Sequence, residues 1–354
     1  MKTVTVVSST LSRLGVTVIG FPGFVMKRTL IFILTSLLVV GGCGDAGFYS
    51  GDGDNDGGVV PNTGAGITSA NAVTVLKVSY EAAQSSASLG DLSGETGIIA
   101  AGPNNVAKAG GHLFASAVST VTTSQVPLPD LISECVGGGT VTNSADIADL
   151  VTFTLSPGDV FAVVFDMCND GLGTVTDGRL DYVIDAFNGD FLGGSYDLTM
   201  TLTLGNFQVA TAADVLTSNG DATVTLNTAN APAVSVSVSG ISLTVDANAS
   251  SEIQTNYSSA QTLDAGISPS PYTMTTSGTL DSTQLSGVVS YSTPEIFMGF
   301  DSDYPSSGQF LVTGSSSSAR LTAEGVNVLI EIDVDGDGIY EEMINTTWAE
   351  LIGT

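Results

Sequence analysis

The chain of 354 residues carries 36 aspartates and glutamates against 8 lysines and arginines, which gives a formal net charge of −28 at pH 7. Binding to nucleic-acid phosphates depends on lysine and arginine side chains, so this balance excludes nucleic acid as a partner. The length is enough for one large domain or for two domains of ordinary size.

Residues 26–42 have the order of a bacterial export signal. A basic pair, Lys27 and Arg28, precedes an apolar run that ends at Val40 and is followed by small residues. The run is shorter than the roughly 20 residues that a permanent membrane-spanning helix needs. We therefore expect residues 26–42 to be a signal peptide and residues 1–25 to be a mis-called start.

The end of this signal, Val40-Gly41-Gly42-Cys43, resembles the lipobox of bacterial lipoproteins. The resemblance implies that Cys43 becomes the mature N-terminus and carries diacylglycerol and acyl chains as a membrane anchor. Gly44 follows, and by resemblance to enterobacterial sorting a residue other than Asp there implies the outer membrane. The periplasmic and the cell-surface face both remain open. The alternative is a chance cysteine behind an ordinary signal.

Processing at Cys43 makes the chain more acidic. Four of the eight basic residues and none of the 36 acidic ones lie in residues 1–42, so the formal charge changes from −28 to −32. This charge repels anionic lipid head groups, so membrane attachment must come from the acyl chains. The Gly- and Asp-rich residues 43–66 have little to bury, which predicts a flexible tether. The acidity suits divalent cations, a saline habitat or simple solubility.

Residues 67–125 have helical character, and we expect them to pack on the body of the protein. Thr68 or Ser69 can cap a first helix. Its apolar residues recur on one face: Ala72, Val75, Leu76, Tyr80 and Ala83. A second candidate helix, at about 103–121, contains His112, the only histidine, which we interpret as a packing or surface residue.

Residues 126–354 have the pattern of an antiparallel β body. Apolar residues alternate with polar ones along 196–204, and valines alternate with serines along 234–238 before the phase slips to Ile241, Leu243 and Val245. One polar face per strand indicates antiparallel pairing rather than βαβ units. We expect a mainly β fold: a curved meander sheet, a sandwich or an open barrel, with Ser and Thr at outward positions.

Cys135 and Cys168 are the two cysteines that remain after processing. An even number of cysteines in an exported protein favours a disulfide, here between two neighbouring strands. Such a bridge would stabilise the fold by about 3–4 kcal/mol if it acts by restricting the unfolded chain. Two free buried thiols are the alternative.

One segment of the β body carries a metal-ligand pattern. Asp333, Asp335 and Asp337 take places 1, 3 and 5 of an EF-hand-type calcium loop. Gly338 at place 6 permits the sharp turn of that loop. The pattern then departs from an EF-hand, because Ile344 stands at place 12 instead of a bidentate Glu and the flanking elements are strands.

Glu341 at place 9 makes the segment similar to the D-x-D-x-D-G-x-x-D/E loops in β-hairpins of extracellular proteins. The resemblance implies Ca²⁺ bound weakly, with a dissociation constant of about 10⁻⁴–10⁻³ M. The implied ligands are Asp333, Asp335, Asp337, the Ile339 carbonyl and Glu341. Such a site suits a structural clip better than a catalyst, and a solvated acidic turn is the alternative.

The cysteine-containing segment and the C-terminal hairpin with its D-x-D-G-D-G motif together resemble uncharacterised β-rich lipoproteins of Gram-negative bacteria. The resemblance implies an address and a fold class but no activity. The sequence contains no G-x-S-x-G, H-E-x-x-H, P-loop or C-x-x-C motif. With 36 acidic residues, some carboxylates lie close together by chance. A glycosidase-type pair of carboxylates is therefore not evidence of an enzyme.

These observations favour a lipid-anchored envelope protein with a non-enzymatic structural, adhesive or glycan-contacting role. The alternative is a carrier of a lipid or another apolar ligand, which would need an apolar cavity. A carboxylate-pair enzyme acting on carbohydrate ranks third. The single tryptophan, Trp348, counts mildly against sugar stacking.

Overall fold

The computed structural model describes residues 64–90, 130–148, 155–190, 195–212, 214–247, 250–300 and 303–352. The expected signal peptide with Cys43, most of the expected tether and the second candidate helix with His112 lie outside these residues. Within the described part of the chain, no helix is both long enough and apolar enough to cross a membrane.

In the part of the chain that the structure describes, fourteen strands form one antiparallel sheet in which each strand pairs with the next in sequence. Their bounds are β1 Leu131–Glu134, β2 Thr140–Asp146, β3 Val160–Asn169, β4 Val175–Asp190, β5 Ser195–Ala210, β6 Val215–Asn227, β7 Ala233–Ala247, β8 Ser250–Asp264, β9 Pro271–Ser282, β10 Val289–Phe300, β11 Ser307–Thr313, β12 Ser318–Glu324, β13 Asn327–Asp333 and β14 Glu342–Thr347. The expected mainly β fold is confirmed, and its form is a meander with β1 and β14 at the edges.

The two faces of the sheet differ because side chains alternate along each strand. On β5, Leu198, Met200 and Leu202 are buried, whereas Thr199 and Thr201 between them are partly exposed. We call the buried side the inner face and the other the outer face. Helix α1 (Ala72–Ser88) contacts β7, β8, β9, β11 and β12, and a short helix α2 (Trp348–Ile352) follows β14.

Helix α1 begins later than its sequence suggests. Its N-cap is Asn71, not Thr68 or Ser69, and the Asn71 side chain does not bond to the first turn. Instead, Asn71 Oδ1 accepts the Thr68 N–H at 2.8 Å and Nδ2 donates to the Gly66 carbonyl at 2.9 Å. The asparagine therefore holds the chain that leads into the helix.

Residues 64–67, which we call the strap, tie this leading chain to the distant half of the sheet. The Ala65 N–H donates to the Val288 carbonyl, and the Ala65 carbonyl accepts the Ser315 N–H, both at 3.0 Å. The Ile67 N–H donates to Ser317 Oγ at 2.7 Å. The folded body therefore begins within the last residues of the segment expected to be a tether.

Strand β7 departs from the expected phase at one residue. Leu243 and Val245 are buried as expected, but Ile241 is 82% exposed. The strand stays paired with β8 through this region. The register shift occurs in its pairing with β6, where the stretch from Ser239 to Leu243 of β7 lies opposite the stretch from Gly220 to Thr223 of β6, which is one residue shorter, so the extra residue is on β7. The phase slip was therefore read correctly, while the outward position of Ile241 was not.

Candidate functional site

The hairpin loop between β13 and β14 gathers the predicted acidic residues. One carboxylate oxygen from each of Asp333, Asp335, Asp337 and Glu341 lies within 4.8 Å of the others. Asp333 is only 3% exposed, while the other three are exposed. This acidic group could hold a metal ion, with one buried ligand and three ligands exposed to solvent.

Backbone hydrogen bonds to Asp333 shape the loop. Its two oxygens accept the N–H groups of Gly336 at 2.6 Å and Gly338 at 3.0 Å. Both glycines have positive φ, 78° and 87°, which is a region that other residues enter at a cost. The buried aspartate and the two glycines therefore fix the turn on which the other carboxylates stand.

The remaining carboxylates also bond to the loop backbone. Asp335 Oδ1 accepts the Asp337 N–H at 3.2 Å, and Asp337 Oδ1 accepts the Ile339 N–H at 2.8 Å. Glu341 Oε2 reaches back to the Val334 N–H at 3.0 Å. These contacts orient the acids but supply no positive charge.

The chemistry of this donor set fits a hard divalent cation. Carboxylate oxygens suit Mg²⁺, Ca²⁺ or Mn²⁺, whereas soft metals prefer thiolate. The guanidinium of Arg320, on β12, is engaged elsewhere, because its Nε donates to Glu331 Oε2 at 2.8 Å and its carbon lies 4.3 Å from the Tyr340 ring centroid. Four like charges at this spacing repel one another, and a cation would relieve that repulsion.

The predicted disulfide is present between Cys135 and Cys168, whose Cα atoms are 5.4 Å apart. Its position differs from the expected one. Cys135 follows β1 and Cys168 lies in β3. The bridge therefore joins the end of β1 to β3, and β2 lies between these two strands in the sheet. The Gly137 N–H donates to the Asn169 carbonyl beside it, so backbone pairing supports the same corner.

The outer face of the central strands carries a row of hydroxyl side chains that crosses six strands. We call it the hydroxyl row, and its members occupy successive paired positions on β5 to β10: Thr201, Thr223, Ser239, Ser258, Ser277 and Ser292. All six are partly or fully exposed. Neighbouring members are one strand apart, about 4.7–4.9 Å in the hydrogen-bonding direction.

A second row lies two residues along each strand, with Thr199, Thr225, Ser237, Ala260 and Thr275 at paired positions. The hydroxyls contact one another across strands: Ser258 Oγ is 2.9 Å from Ser277 Oγ. At one end of the hydroxyl row, Thr201 Oγ1 donates to Asp185 Oδ2 at 2.9 Å. Neither row contains a charged side chain, although the chain as a whole is strongly acidic.

Sequence reasoning found part of these sites. The four carboxylates that it grouped do come together, and Ile339, whose carbonyl was a predicted fifth ligand, lies in the same loop. The predicted lipidation residue Cys43 lies outside the described residues. The hydroxyl rows were missed as a site. The sequence signal for these rows was Ser and Thr at every second position of a strand. The alignment of these side chains across strands depends on the register of strand pairing.

No protein-family model matches this chain, and neither a curated protein nor a solved structure matches it at a significant level.

Proposed function

We propose that this protein is a non-enzymatic scaffold of the bacterial envelope, held at the outer membrane by an acylated Cys43, whose outer sheet face contacts neutral glycans. The observation that supports a glycan contact is the hydroxyl row, from Thr201 on β5 to Ser292 on β10. The proposed lipid anchor is inferred from the lipobox-like sequence that ends at Cys43. The fourteen-stranded sheet supplies a broad, continuous surface.

The chemistry of the hydroxyl row favours an uncharged partner. Each hydroxyl both donates and accepts hydrogen bonds, which matches the hydroxyls of a sugar. Each such bond contributes only about 0.5–1.5 kcal/mol net because water competes for it, so useful affinity requires many at once. The acidic chain repels anionic polymers, whereas a neutral polysaccharide meets no such penalty.

The acidic loop is proposed to bind Ca²⁺ as a structural clip. Asp333, Asp335, Asp337, Glu341 and the Ile339 carbonyl would hold the ion. Calcium would supply charge neutralisation there, and the loop's own residues set the geometry through the Asp333 contacts to Gly336 and Gly338. In this assignment the clip stabilises the β13–β14 hairpin and takes no part in a reaction.

A carrier of a lipid or another apolar ligand is the second candidate. It is favoured by the inner face of β4 to β6, which is apolar and buried at Leu180, Tyr182, Met200 and Val224. Native mass spectrometry of the protein extracted from its own membrane distinguishes the two. A lipid that co-purifies in addition to the anchor would put the carrier first, and a mass that lacks an acylated Cys43 would contradict the proposed anchor.

The glycan proposal is tested by co-sedimentation of the extracted protein with an insoluble neutral polysaccharide, such as amorphous cellulose or an uncharged β-glucan. The double variant Ser239→Ala/Ser258→Ala removes two central hydroxyls of the row. We expect its apparent affinity to fall about fivefold or more. The matched control, Ser286→Ala/Ser316→Ala, removes two exposed serines in loops and should bind like the wild type. Equal binding by both variants, or no binding by the wild type to neutral polymers, would contradict the assignment.

A further inference from the structure

The outer face of β10 changes in chemistry along the strand. After Ser292, the β10 member of the hydroxyl row, come three exposed apolar residues that we call the apolar stripe: Ile296, Met298 and Phe300. Their side chains are 52%, 51% and 44% exposed, and they alternate with residues 297 and 299, which are buried. A single exposed apolar side chain is ordinary on a protein surface, whereas adjacent ones on one face are typical of a contact site.

Strand pairing places hydroxyl side chains on both sides of the apolar stripe. Met298 is paired with Thr273 on β9 and with Ser307 on β11, and Thr273 is paired in turn with Thr262 on β8. All three hydroxyl residues are partly or fully exposed. Because neighbouring strands lie about 4.7–4.9 Å apart, Thr273 and Ser307 are separated by roughly 9–10 Å with Met298 between them. Met298 therefore interrupts a third row of hydroxyls on the outer face.

The apolar stripe runs along β10, across the direction of the hydroxyl rows. Residues of one face recur every second position, about 6.6–6.8 Å apart, so the stripe is roughly 13 Å long. At its end Phe300 is paired with Pro271, the first residue of β9, which is partly exposed. The result is a narrow apolar floor with hydroxyls at its sides.

The strand that carries the stripe is held from three directions. It pairs with β9 on one side and with β11 on the other. The Met298 carbonyl also accepts the Ser306 N–H at 2.7 Å and the Ser306 hydroxyl at 3.1 Å. On the inner face, the ring of Phe297 stacks on that of Phe310 with 6.4 Å between centroids. A surface that is already ordered loses little freedom when a ligand binds to it.

The size of the stripe restricts what it contacts. A half-exposed side chain of this size offers roughly 100 Å², so the three together offer on the order of 300 Å². Each partner of a standard protein interface contributes about 800 Å², which the stripe does not approach. A second copy of this chain therefore fits the stripe poorly, whereas a ligand with a small footprint fits it well.

The charge around the stripe also restricts its ligand. No lysine or arginine occurs in the sequence between Arg179 and Arg320, a stretch that includes all of β5 to β11. The carboxylates of Glu295 and Asp303, on β10 and just after it, are exposed. Such a surface repels anionic polymers and anionic lipid head groups. The remaining ligand class is uncharged and has both apolar and hydroxyl groups.

We propose that the apolar stripe is the floor on which sugar rings stack, and that it selects β-linked glucans. In a β-linked glucose unit every hydroxyl is equatorial, so the axial C–H bonds make both ring faces apolar and the hydroxyls point out from the rim. A ring face that covers Met298 and Phe300 is removed from water, while rim hydroxyls meet Thr273 and Ser307. This inference rests on the proposed glycan contact and names the sugar that it prefers.

Mannose provides the closest comparison. Its hydroxyl on the second ring carbon is axial and therefore lies on one ring face. Successive units of a linear β-mannan are turned over, so every second ring presents this hydroxyl to the stripe. A hydroxyl that is pressed against apolar side chains loses its hydrogen bonds to water without a replacement. The stripe should therefore discriminate between two polymers that are both neutral and have the same linkage.

Co-sedimentation of the extracted full-length protein with amorphous cellulose and with insoluble linear β-mannan tests this preference. We expect the apparent affinity of the wild type for cellulose to be at least fivefold higher than that for β-mannan. This comparison needs no variant, so it does not depend on how well any variant folds.

The variant Met298→Thr/Phe300→Thr separates the apolar floor from the hydroxyls. It gives the stripe the residue type of the neighbouring strands and keeps a high β-propensity. We expect at least a tenfold loss of affinity for cellulose and loss of the preference over β-mannan. The matched control, Ile132→Thr/Leu172→Thr, changes two apolar residues near the disulfide that are 67% and 80% exposed, and should bind like the wild type.

The outcomes separate this inference from the proposed function. Equal affinity of the wild type for both polymers, or undiminished cellulose binding by Met298→Thr/Phe300→Thr, would overturn the role of the stripe but not the contact through the hydroxyl row. Failure of the wild type to bind either polymer would overturn both. Sedimentation velocity adds one further outcome. A wild-type dimer that Met298→Thr/Phe300→Thr converts to a monomer would assign the stripe to a second copy and overturn the proposal.

Discussion

The rings of Tyr80 on α1 and Trp348 on α2 lie with their centroids 5.2 Å apart, so the helix before the sheet and the helix after it meet over one core. Trp348 also stacks on Tyr304 at 5.3 Å, and its indole N–H donates to the Pro305 carbonyl at 3.0 Å. Aromatic pairs of this kind contribute about 0.5–1.5 kcal/mol beyond the area that they bury. This cluster attaches α1 to the body of the protein.

Replacement of Tyr80 by alanine should therefore destabilise the fold strongly. The side chain is 2% exposed and contacts three other aromatic rings, so we expect a loss of about 3–5 kcal/mol in the free energy of unfolding. Denaturant titration followed by the fluorescence of the single tryptophan measures it. Tyr340→Ala, at a partly exposed ring stacked on Arg320, is the control and should cost about 1 kcal/mol or less. Similar losses in both variants would contradict the central role of the cluster.

The two glycines of the acidic loop should respond differently to alanine. A Cβ on Gly338 meets nothing within 4 Å. Gly338→Ala is therefore destabilised only by the strain of its positive φ, at a cost of about 1–2 kcal/mol. A Cβ on Gly336 would lie 3.0 Å from the Ser316 backbone, so Gly336→Ala suffers the same backbone strain and a clash. Without added calcium, Gly336→Ala should unfold at a lower temperature than Gly338→Ala. The reverse order would show that the loop geometry is wrong.

Calcium should stabilise the protein through the acidic loop. With a dissociation constant of about 10⁻⁴–10⁻³ M, 10 mM calcium adds about 1.4–2.7 kcal/mol to the free energy of unfolding. Removal of calcium with a chelator should reverse the gain. Asp335→Asn should abolish the gain while changing calcium-free stability by less than about 0.5 kcal/mol, because Asp335 is exposed. Glu324→Gln, on β12, should keep the full gain, and a calcium response that survives in Asp335→Asn would place the ion elsewhere.

The bridge between Cys135 and Cys168 should stabilise one corner of the sheet. It closes a loop of 33 residues, so Cys135→Ser/Cys168→Ser should lose about 3–4 kcal/mol if the bridge acts by restricting the unfolded chain. Urea unfolding of the double variant, compared with the wild type under reducing and oxidising conditions, measures the loss. The wild type under reducing conditions should match the variant. A midpoint that does not change on reduction would contradict this role.

The sequence predicted those features that depend on local pattern. Period-two alternation predicted the strands, and the spacing of Asp333, Asp335 and Asp337 predicted an acidic loop that the fold does assemble. The pairing of the cysteines followed from counting the two that are not the expected lipidation residue. Each of these inferences needs only a few neighbouring residues or a count.

Features that depend on pairing between distant residues could not be predicted. The hydroxyl row needs the register of six strands, which is set by bulges such as the one between Thr255 and Ser258 in β8. The outward position of Ile241 follows from the extra residue of β7 at the register shift in its pairing with β6. The contact of α1 with β8 joins a helix to a strand that the helix sequence alone does not identify as its partner.

The strap has a consequence for the order in which this protein folds. Every strand of the sheet pairs with its neighbour in sequence, so the sheet is built from contacts of short sequence separation, which generally form quickly. The Ile67–Ser317 bond, by contrast, spans 250 residues. The segment that leaves the ribosome before the sheet must therefore wait for β11 and β12 before it can dock. The first-made part of the body is among the last to reach its native position, and until then the inner face of the sheet forms without α1.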